Sequence, residues 1–418
     1  IISLSNAFVE GYDIFDYDFY NNFLNSLDDL ELNQLQDFFQ TSKYSDNQDI
    51  QATAYFYLAI ISYQLGNNNL SLSYVQEFLR IMPDDFIGFI ITANNYYAEG
   101  RYLDALSEYQ KILWIDPEHE LSLFQQGLCF YKLGYTKDAQ LNFNRLLSIY
   151  PESYNSKYYL ALIDYQNNNF EKSIPLFLDL LQYDSKNYEL YNYLGNAYYE
   201  LDNLKLSLRA YKQSITLNPY DANIYYKMGI IYEKLLNIDA AIKNYSQAIN
   251  MDDNDNDLIY RLGILLYQDD QHKKSLEYLR RYITYKPKDV DVIKMLADIL
   301  YTLNRLPESI DNYKRLIDLG QHDIKFYKNI ATAYWELGDY QQAEYYYNFI
   351  IDHDEINNGQ IFYYLGFIAN QNKEYNLAKD YLLYARECGY IDINIYYQLS
   401  YSNLQTQSYH DIIPILNS

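Results

Sequence analysis

A period of 34 residues constrains this chain more than any other feature. Tyr191 to Pro219 reads YNYLGNAYYELDNLKLSLRAYKQSITLNP, and 34 residues on the chain reads YYKMGIIYEKLLNIDAAIKNYSQAINMDD. Blocks of 34 align without a gap from Ala52 to Asn357. They start at Ala52, Phe86, Glu120, Tyr154, Tyr188, Ala222, Asn256, Val290 and Ile324; after one inserted residue a tenth starts at Gly359 and an eleventh at Ile393. A period of this length marks an array of small units that stack because none can bury its own apolar face. It replaces the reading of 418 residues as two or three globular domains.

The landmarks inside each block say what the unit is. Apolar residues recur at helical spacing in two runs. Position 8 reads Ala59, Ala93, Gly127, Ala161, Gly195, Gly229, Gly263, Ala297, Ala331, Gly366 and Ser400. Position 20 reads Ser71, Ala105, Ala139, Ser173, Ser207, Ala241, Ser275, Ser309, Ala343 and Ala378, and only then Ile412. Small residues there let two helices approach closely, with large fillers around the crossing at position 4 (Tyr55, Phe89, Tyr191) and position 24 (Tyr109, Phe143, Phe177, Tyr211, Tyr245). Position 15 carries Gly66, Gly100, Gly134, Asn168, Asp202, Asp270, Asn304 and Gly338, residues that tolerate the left-handed conformation ending a helix; Leu236 is the exception. Pro83, Pro117, Pro151, Pro219 and Pro287 stop the second run, and Pro307 suits a first helical turn. Each block is therefore predicted as helix, tight turn, antiparallel helix, stop, and the fold class as all-α.

This pattern resembles the tetratricopeptide repeat, which shares the period and the small, aromatic and proline landmarks. The resemblance covers about 365 residues and implies a right-handed α-solenoid superhelix of antiparallel helix pairs. The expected organisation is a helical cap or degenerate repeat over 1–51, ten repeats over 52–392, and a partial eleventh repeat or cap over 393–418. Within the first segment, YDFYNNFLNSLDDLELNQLQDFFQ reads as two short amphipathic helices. One departure stands out: where the family prefers Ala at position 27, this chain has Phe78, Ile112, Leu146, Leu180, Tyr282 and Ile350, which predicts looser or differently angled stacking.

The resemblance also implies a concave groove lined by positions 2, 5, 6, 9, 12 and 13 of the first helices. The first four blocks offer it Phe56, Tyr57, Ile60, Ile90, Ile91, Phe124, Leu128, Tyr158, Tyr159 and Leu162. Blocks five to nine offer Asn192, Asn196, Asn223, Lys227, Arg261, Lys294, Lys328 and Asn329. Asn donates to and accepts from a peptide backbone at once, and the cations suit a carboxylate or acidic segment. The competing reading is a solvated face on which Glu189, Glu233, Asp257 and Asp298 pair those cations. Position 12 repeats as Tyr63, Tyr97, Tyr131, Tyr165, Tyr199, Tyr267, Tyr301 and Trp335, a ladder read as packing between first helices rather than as a ligand platform. Two subfamily patterns fail. A chaperone-tail clamp finds Lys294 and Asn329 but meets Asp298, Gln360 and Tyr364 where it needs other residues, and the Asn ladder of the sugar-transferring members shrinks to Asn329.

Composition removes several alternatives. A formal charge of −24 opposes nucleic acid and anionic membrane surfaces as partners. The longest apolar run, FIGFII, is far short of a membrane span. Cys129 and Cys388 form no disulfide framework, which favours a reducing, cytoplasmic location. The chain opens IISLSNAF without Met, so its natural start is expected to lie further upstream. DDNDND lacks the glycine and closing glutamate of a calcium loop, the five histidines have no zinc spacing, and no phosphate loop or nucleophile elbow occurs. No catalysis, cofactor or metal is expected. The reading is an interaction scaffold binding an extended peptide or partner helix. Its alternatives are a targeting segment of a larger glycosyltransferase- or peptidase-like enzyme, or a peptide-sensing regulator.

Overall fold

The structure, a computed structural model, describes residues 28–252, 255–353, 358–408 and 410. Among the described residues there are 22 helices and no strand, so the protein is an all-α solenoid. From Phe86 to Glu387 every block is a pair: a first helix over positions 1 to 13, such as Tyr188–Glu200, and a second after a short turn, such as Leu204–Leu217; of the eleventh block the described residues give the first helix, Ile393–Gln405. The chain falls into two compact units, Ile1–Pro219 and Tyr220–Ser418, a division that the unbroken period did not predict. Each unit is a stack of such pairs.

The first helices share a start signal that the sequence reading passed over. The residue before position 1 is Asp or Asn in most blocks, and its side chain accepts from backbone N–H groups of the first turn. Asp85 accepts from Ile87 at 2.8 Å, Asn187 from Glu189 at 3.1 Å, Asp255 from Asp257 and Leu258 at 3.0 Å, and Asp392 from Asn394 at 2.7 Å. Each cap stabilises its helix by about 1 kcal/mol. Part of the acidic character is thus local capping. Asp255, in the acidic run weighed above as a calcium loop, is one of these caps.

The turn between paired helices follows one geometry throughout. Position 15 has positive φ in all eleven blocks, at Gly66, Gly100, Gly134 and Gly338, and at Asn168, Asp202, Asp270 and Asn304. Leu236 adopts it too, with φ 57°, as do Lys373 and Gln407 in the last two blocks. Two backbone bonds impose the conformation on Leu236: its own N–H donates to the Glu233 carbonyl and the Asn237 N–H to the Tyr232 carbonyl, both at 2.9 Å. The residue type at position 15 therefore adjusts stability and does not decide the turn.

The core of each pair is the crossing expected from positions 8, 20 and 24. A Cβ added to Gly195 would lie 2.3 Å from the Tyr211 ring, and one added to Gly229 would lie 2.4 Å from the Tyr245 ring. Position 20 has a second function. Where it is serine, the hydroxyl usually donates across to the position-8 carbonyl: Ser71 to Ala59, Ser207 to Gly195 and Ser275 to Gly263 at 2.7 Å, and Ser309 to Ala297 at 2.8 Å. The large residues at position 27, from Phe78 to Ile350, are buried.

At the front of the first unit the helix Asp29–Ser42 begins with a capping box between Asp28 and Glu31. It buries Leu32, Leu35 and Phe39 against the helix Gln48–Gln64. The preceding part of the stretch read as two helices lies outside the described residues.

Candidate peptide-binding face

Positions 2, 5, 6, 9, 12 and 13 of the first helices were expected to line a groove, and the structure sorts the residues named there into two kinds. In the first unit the apolar members are interior. Phe56 is 0% exposed and Tyr57 1%, and Ile60, Ile90, Ile91, Leu128 and Leu162 are buried as well. Phe39 stacks on Tyr57 at 4.6 Å, and Phe56 packs against Phe78 at 5.9 Å. Phe56 and Tyr57 are therefore corrected from ligand contacts to core residues: the helix Asp29–Ser42 and the second helix of their own block, Asn68–Ile81, take up these side chains. Phe124 and Tyr158 stay half-buried. Phe124 lies 5.9 Å from both Phe143 and Tyr159. Tyr158 lies 5.6 Å from Tyr159, and burial, reinforced by the charge of Tyr193, pushes its phenol up to about 12.

The position-12 ladder packs from one first helix onto the next. Tyr131 meets Tyr159 at 5.4 Å, Tyr165 meets Tyr193 at 5.2 Å, and Trp335 meets Tyr364 at 4.4 Å.

The polar members answer to a rule that sequence reading missed. A tyrosine at position 24 is buried and needs an acceptor, and position 9 of the same block supplies it. Tyr109 donates to Asn94 at 2.7 Å, Tyr211 to Asn196 at 2.7 Å, Tyr313 to Asp298 at 2.5 Å and Tyr347 to Thr332 at 3.4 Å. Where position 24 is Val75, Phe143, Phe177 or Leu279, position 9 is Ile60, Leu128, Leu162 or Ile264. The covariation stands in the sequence and is visible once the two columns are compared. Block six is the exception: Ile230 offers nothing, and Tyr245 turns to Glu233 at position 12, at 2.8 Å. Burial, followed by the hydrogen bond to Glu233 or Asp298, holds the phenols of Tyr245 and Tyr313 well above their ordinary range.

The predicted asparagines are accordingly engaged within the fold. Asn196 is the Tyr211 acceptor, Asn192 accepts from the Ser214 hydroxyl, and Asn329 donates to the Tyr313 hydroxyl at 2.8 Å. In the second unit a more accessible set remains: Asn223, Arg261 and Lys294 are exposed, and Lys227 and Lys328 half-buried. Lys294 holds its ammonium 6.0 Å from the Phe326 ring centroid. Of the carboxylates considered as their partners, Glu233 reaches Arg261 at 3.6 Å, whereas Asp298 accepts from Tyr313 and, at 3.5 Å, from Tyr267. An open cavity of about 390 Å³ lies at this face, lined among others by Tyr226, Glu233, Asp257, Tyr260, Arg261 and Gln268.

This repeat unit, its turns and its core define a solenoid of a known kind, and the chain is a tetratricopeptide repeat protein. A TPR repeat model matches residues 195–235, and tetratricopeptide repeat models match 121–153, 222–255, 260–324 and 294–354. Comparison with curated proteins gives no match. Among solved structures, a tetratricopeptide repeat protein from Parabacteroides merdae is 16% identical, with 60% of this chain and 99% of that one covered and a TM-score of 0.35. MamA from Desulfovibrio magneticus RS-1 is 19% identical over 40% of this chain and 93% of that one, with a TM-score of 0.31. A structure of Naa15/Naa10 bound to HypK-THB is 14% identical over 88% of this chain and 68% of that one, with a TM-score of 0.42. No helix among the described residues is long and apolar enough to cross a membrane.

Proposed function

We propose that this tetratricopeptide repeat protein is an interaction scaffold. Its working surface is the first-helix face of the unit Tyr220–Ser418, where it holds an extended peptide or a partner's helix. The observation that carries this reading is the contrast within one set of register positions. At positions 5 and 6 the first two blocks bury Phe56, Tyr57, Ile90 and Ile91 in the fold, whereas blocks seven and eight hold Arg261 and Lys294 there in solvent. Exposed polar and cationic groups on the first helices of successive blocks offer an extended partner contacts from one repeat to the next. Such contacts add without any of them being strong.

Reversing Lys294 and Lys328 together to glutamate tests it. The double variant is expected to weaken partner capture by tenfold or more while far-UV circular dichroism and thermal melting stay as in the parent. Crosslinking mass spectrometry of the captured complex should place the partner on the first helices. Unchanged capture, or crosslinks confined to the second helices, would overturn the assignment.

A further inference from the structure

The cavity between blocks six and seven has walls of a particular chemistry. Tyr226 and Tyr260 occupy position 5 of successive blocks, so the repeat itself sets them side by side. Both are half-buried, and both are braced from behind. Tyr226 packs on Tyr245 at 5.9 Å, and Tyr260 stacks on Tyr282 at 4.6 Å. Their orientations are thus fixed before any ligand arrives. The charges around them are unequal. Glu233 and Asp257 contribute two carboxylates against the one guanidinium of Arg261.

The pairing of these charges matters more than their count. Asp257 and Arg261 stand one turn apart on the same helix, the spacing at which an acid and a base ordinarily join. They do not join here. Arg261 turns to Glu233 of the preceding block, at 3.6 Å, and Glu233 is held in place by the Tyr245 hydroxyl at 2.8 Å. The described residues give the Asp257 carboxylate no hydrogen-bond or ion-pair partner. Lys286 feels its charge, but that ammonium sits over the rings of Tyr282 and Tyr285, 5.7 and 5.9 Å from their centroids.

We infer that this cavity receives a cationic side chain of the bound partner, an arginine above all. Its guanidinium lies against the Tyr226 and Tyr260 rings and its charge meets Asp257. A guanidinium is planar, stacks on aromatic faces and is weakly hydrated, so it enters such a slot at less desolvation cost than an ammonium. The inference rests on the reading of this face as the partner-binding surface and reverses the expectation that Arg261 recruits an acidic segment. Arg261 is spoken for by Glu233, and the charge left over is negative.

The test uses fluorescein-labelled glycine- and serine-rich dodecapeptides whose central residue is arginine, lysine, citrulline or glutamate, titrated against the whole chain by anisotropy. Arginine is expected to bind about tenfold tighter than its neutral isostere citrulline, the size of one shielded cation–aromatic and ion-pair contact. Lysine should fall between, and glutamate below both. Asp257→Asn and Tyr226→Leu should each remove most of the arginine preference. Asp380→Asn, which deletes the same charge from an exposed site on Tyr375–Glu387, should leave it unchanged. Equal losses in Asp257→Asn and Asp380→Asn would show general attraction to an acidic chain and overturn the inference. Tighter binding of the glutamate peptide would overturn it too. Both results would leave the binding face in place, whereas crosslinks of the arginine peptide outside the first helices would remove that face and the inference with it.

Discussion

The partnership between positions 24 and 9 can be tested by exchanging one block's solution for its neighbour's. Tyr211 is 1% exposed and its hydroxyl donates to Asn196 at 2.7 Å. Two blocks earlier the same places hold Phe143 and Leu128, and one block earlier Phe177 and Leu162. Tyr211→Phe deletes one hydrogen bond and leaves a half-buried amide that water can reach, a loss of about 1 kcal/mol. Asn196→Leu strands a hydroxyl in the core and is expected to lose about 2 kcal/mol. The double variant strands nothing at the crossing. Its remaining loss, about 1 kcal/mol, comes from the Tyr165 hydroxyl, which also bonds to Asn196. The single losses should therefore exceed the double one by about 2 kcal/mol.

Global unfolding is a poor readout, because a repeat array need not unfold in one step. Hydrogen exchange of the helices Tyr188–Glu200 and Leu204–Leu217 reads the local opening directly. Asn196→Leu should speed exchange there by about thirtyfold, and adding Tyr211→Phe should restore most of the protection. Additive losses, or a double variant less protected than Asn196→Leu alone, would refute the pairing rule.

Leu236→Asn should stabilise the second unit by about 1 kcal/mol, because Asn tolerates positive φ better than Leu and the Leu side chain, 84% exposed, gives up little packing; a lowered melting temperature would contradict this. Phe39→Ala removes the ring stacked on Tyr57 and should destabilise the front of the first unit by about 3 kcal/mol, exposing Tyr57 and raising binding of an apolar dye; an unchanged dye signal would count against it. Alkali should unfold the protein sooner than acid–base behaviour at ordinary tyrosines would suggest. Burial, the first cause in each case, raises the phenols of Tyr211, Tyr245, Tyr313 and Tyr347 above the ordinary 10.0, so the unfolded chain releases these protons first. Their stabilisation is complete below pH 10 and falls above it by on the order of 1 kcal/mol per pH unit for each phenol, measurable as tyrosinate absorbance lagging in the folded state and rising with loss of helicity.

The fold could be read from the sequence because it depends on small residues, turn residues and apolar spacing, each of which keeps its meaning at every repeat. The site could be read less well, and for a physical reason. A register position says which way a side chain sets out and nothing about what meets it there. Phe56 and Tyr57 point toward the expected groove, yet the helix Asp29–Ser42 and the second helix of their own block close over them. Asn192, Asn196 and Asn329 set out in the right direction too, and buried or half-buried hydroxyls from second helices capture their amides. Reading single columns made these residues look available. Reading column 9 against column 24 would have shown Asn196 to be occupied.

Block six shows why the exceptions deserve more weight than the rule. It departs at three places within seven residues: Ile230 at position 9, Glu233 at position 12 where every other gapless block has Tyr or Trp, and Leu236 at position 15. The first two departures are linked. Ile230 cannot accept from Tyr245, so the acceptor must come from one turn further on, and Glu233 provides it. Unlike the Asn it replaces in that role, Glu233 carries a charge and its side chain is 40% exposed, so it draws Arg261 across from the next block. Arg261 would otherwise serve Asp257, which is left at the cavity wall with Tyr226 and Tyr260 and without an ion-pair partner among the described residues. One apolar residue at a position meant for an acceptor thus leads, through three side chains, to the one mixed cavity of aromatic rings and unequal charges described on this face. Local breaks in an otherwise consistent pattern tend to mark places where function has overridden stability. Restoring the rule with Ile230→Asn should return Tyr245 to position 9 and release Glu233. Arg261 would then be free to pair with Asp257, and the arginine-peptide preference should disappear without any change to the residues that line the cavity.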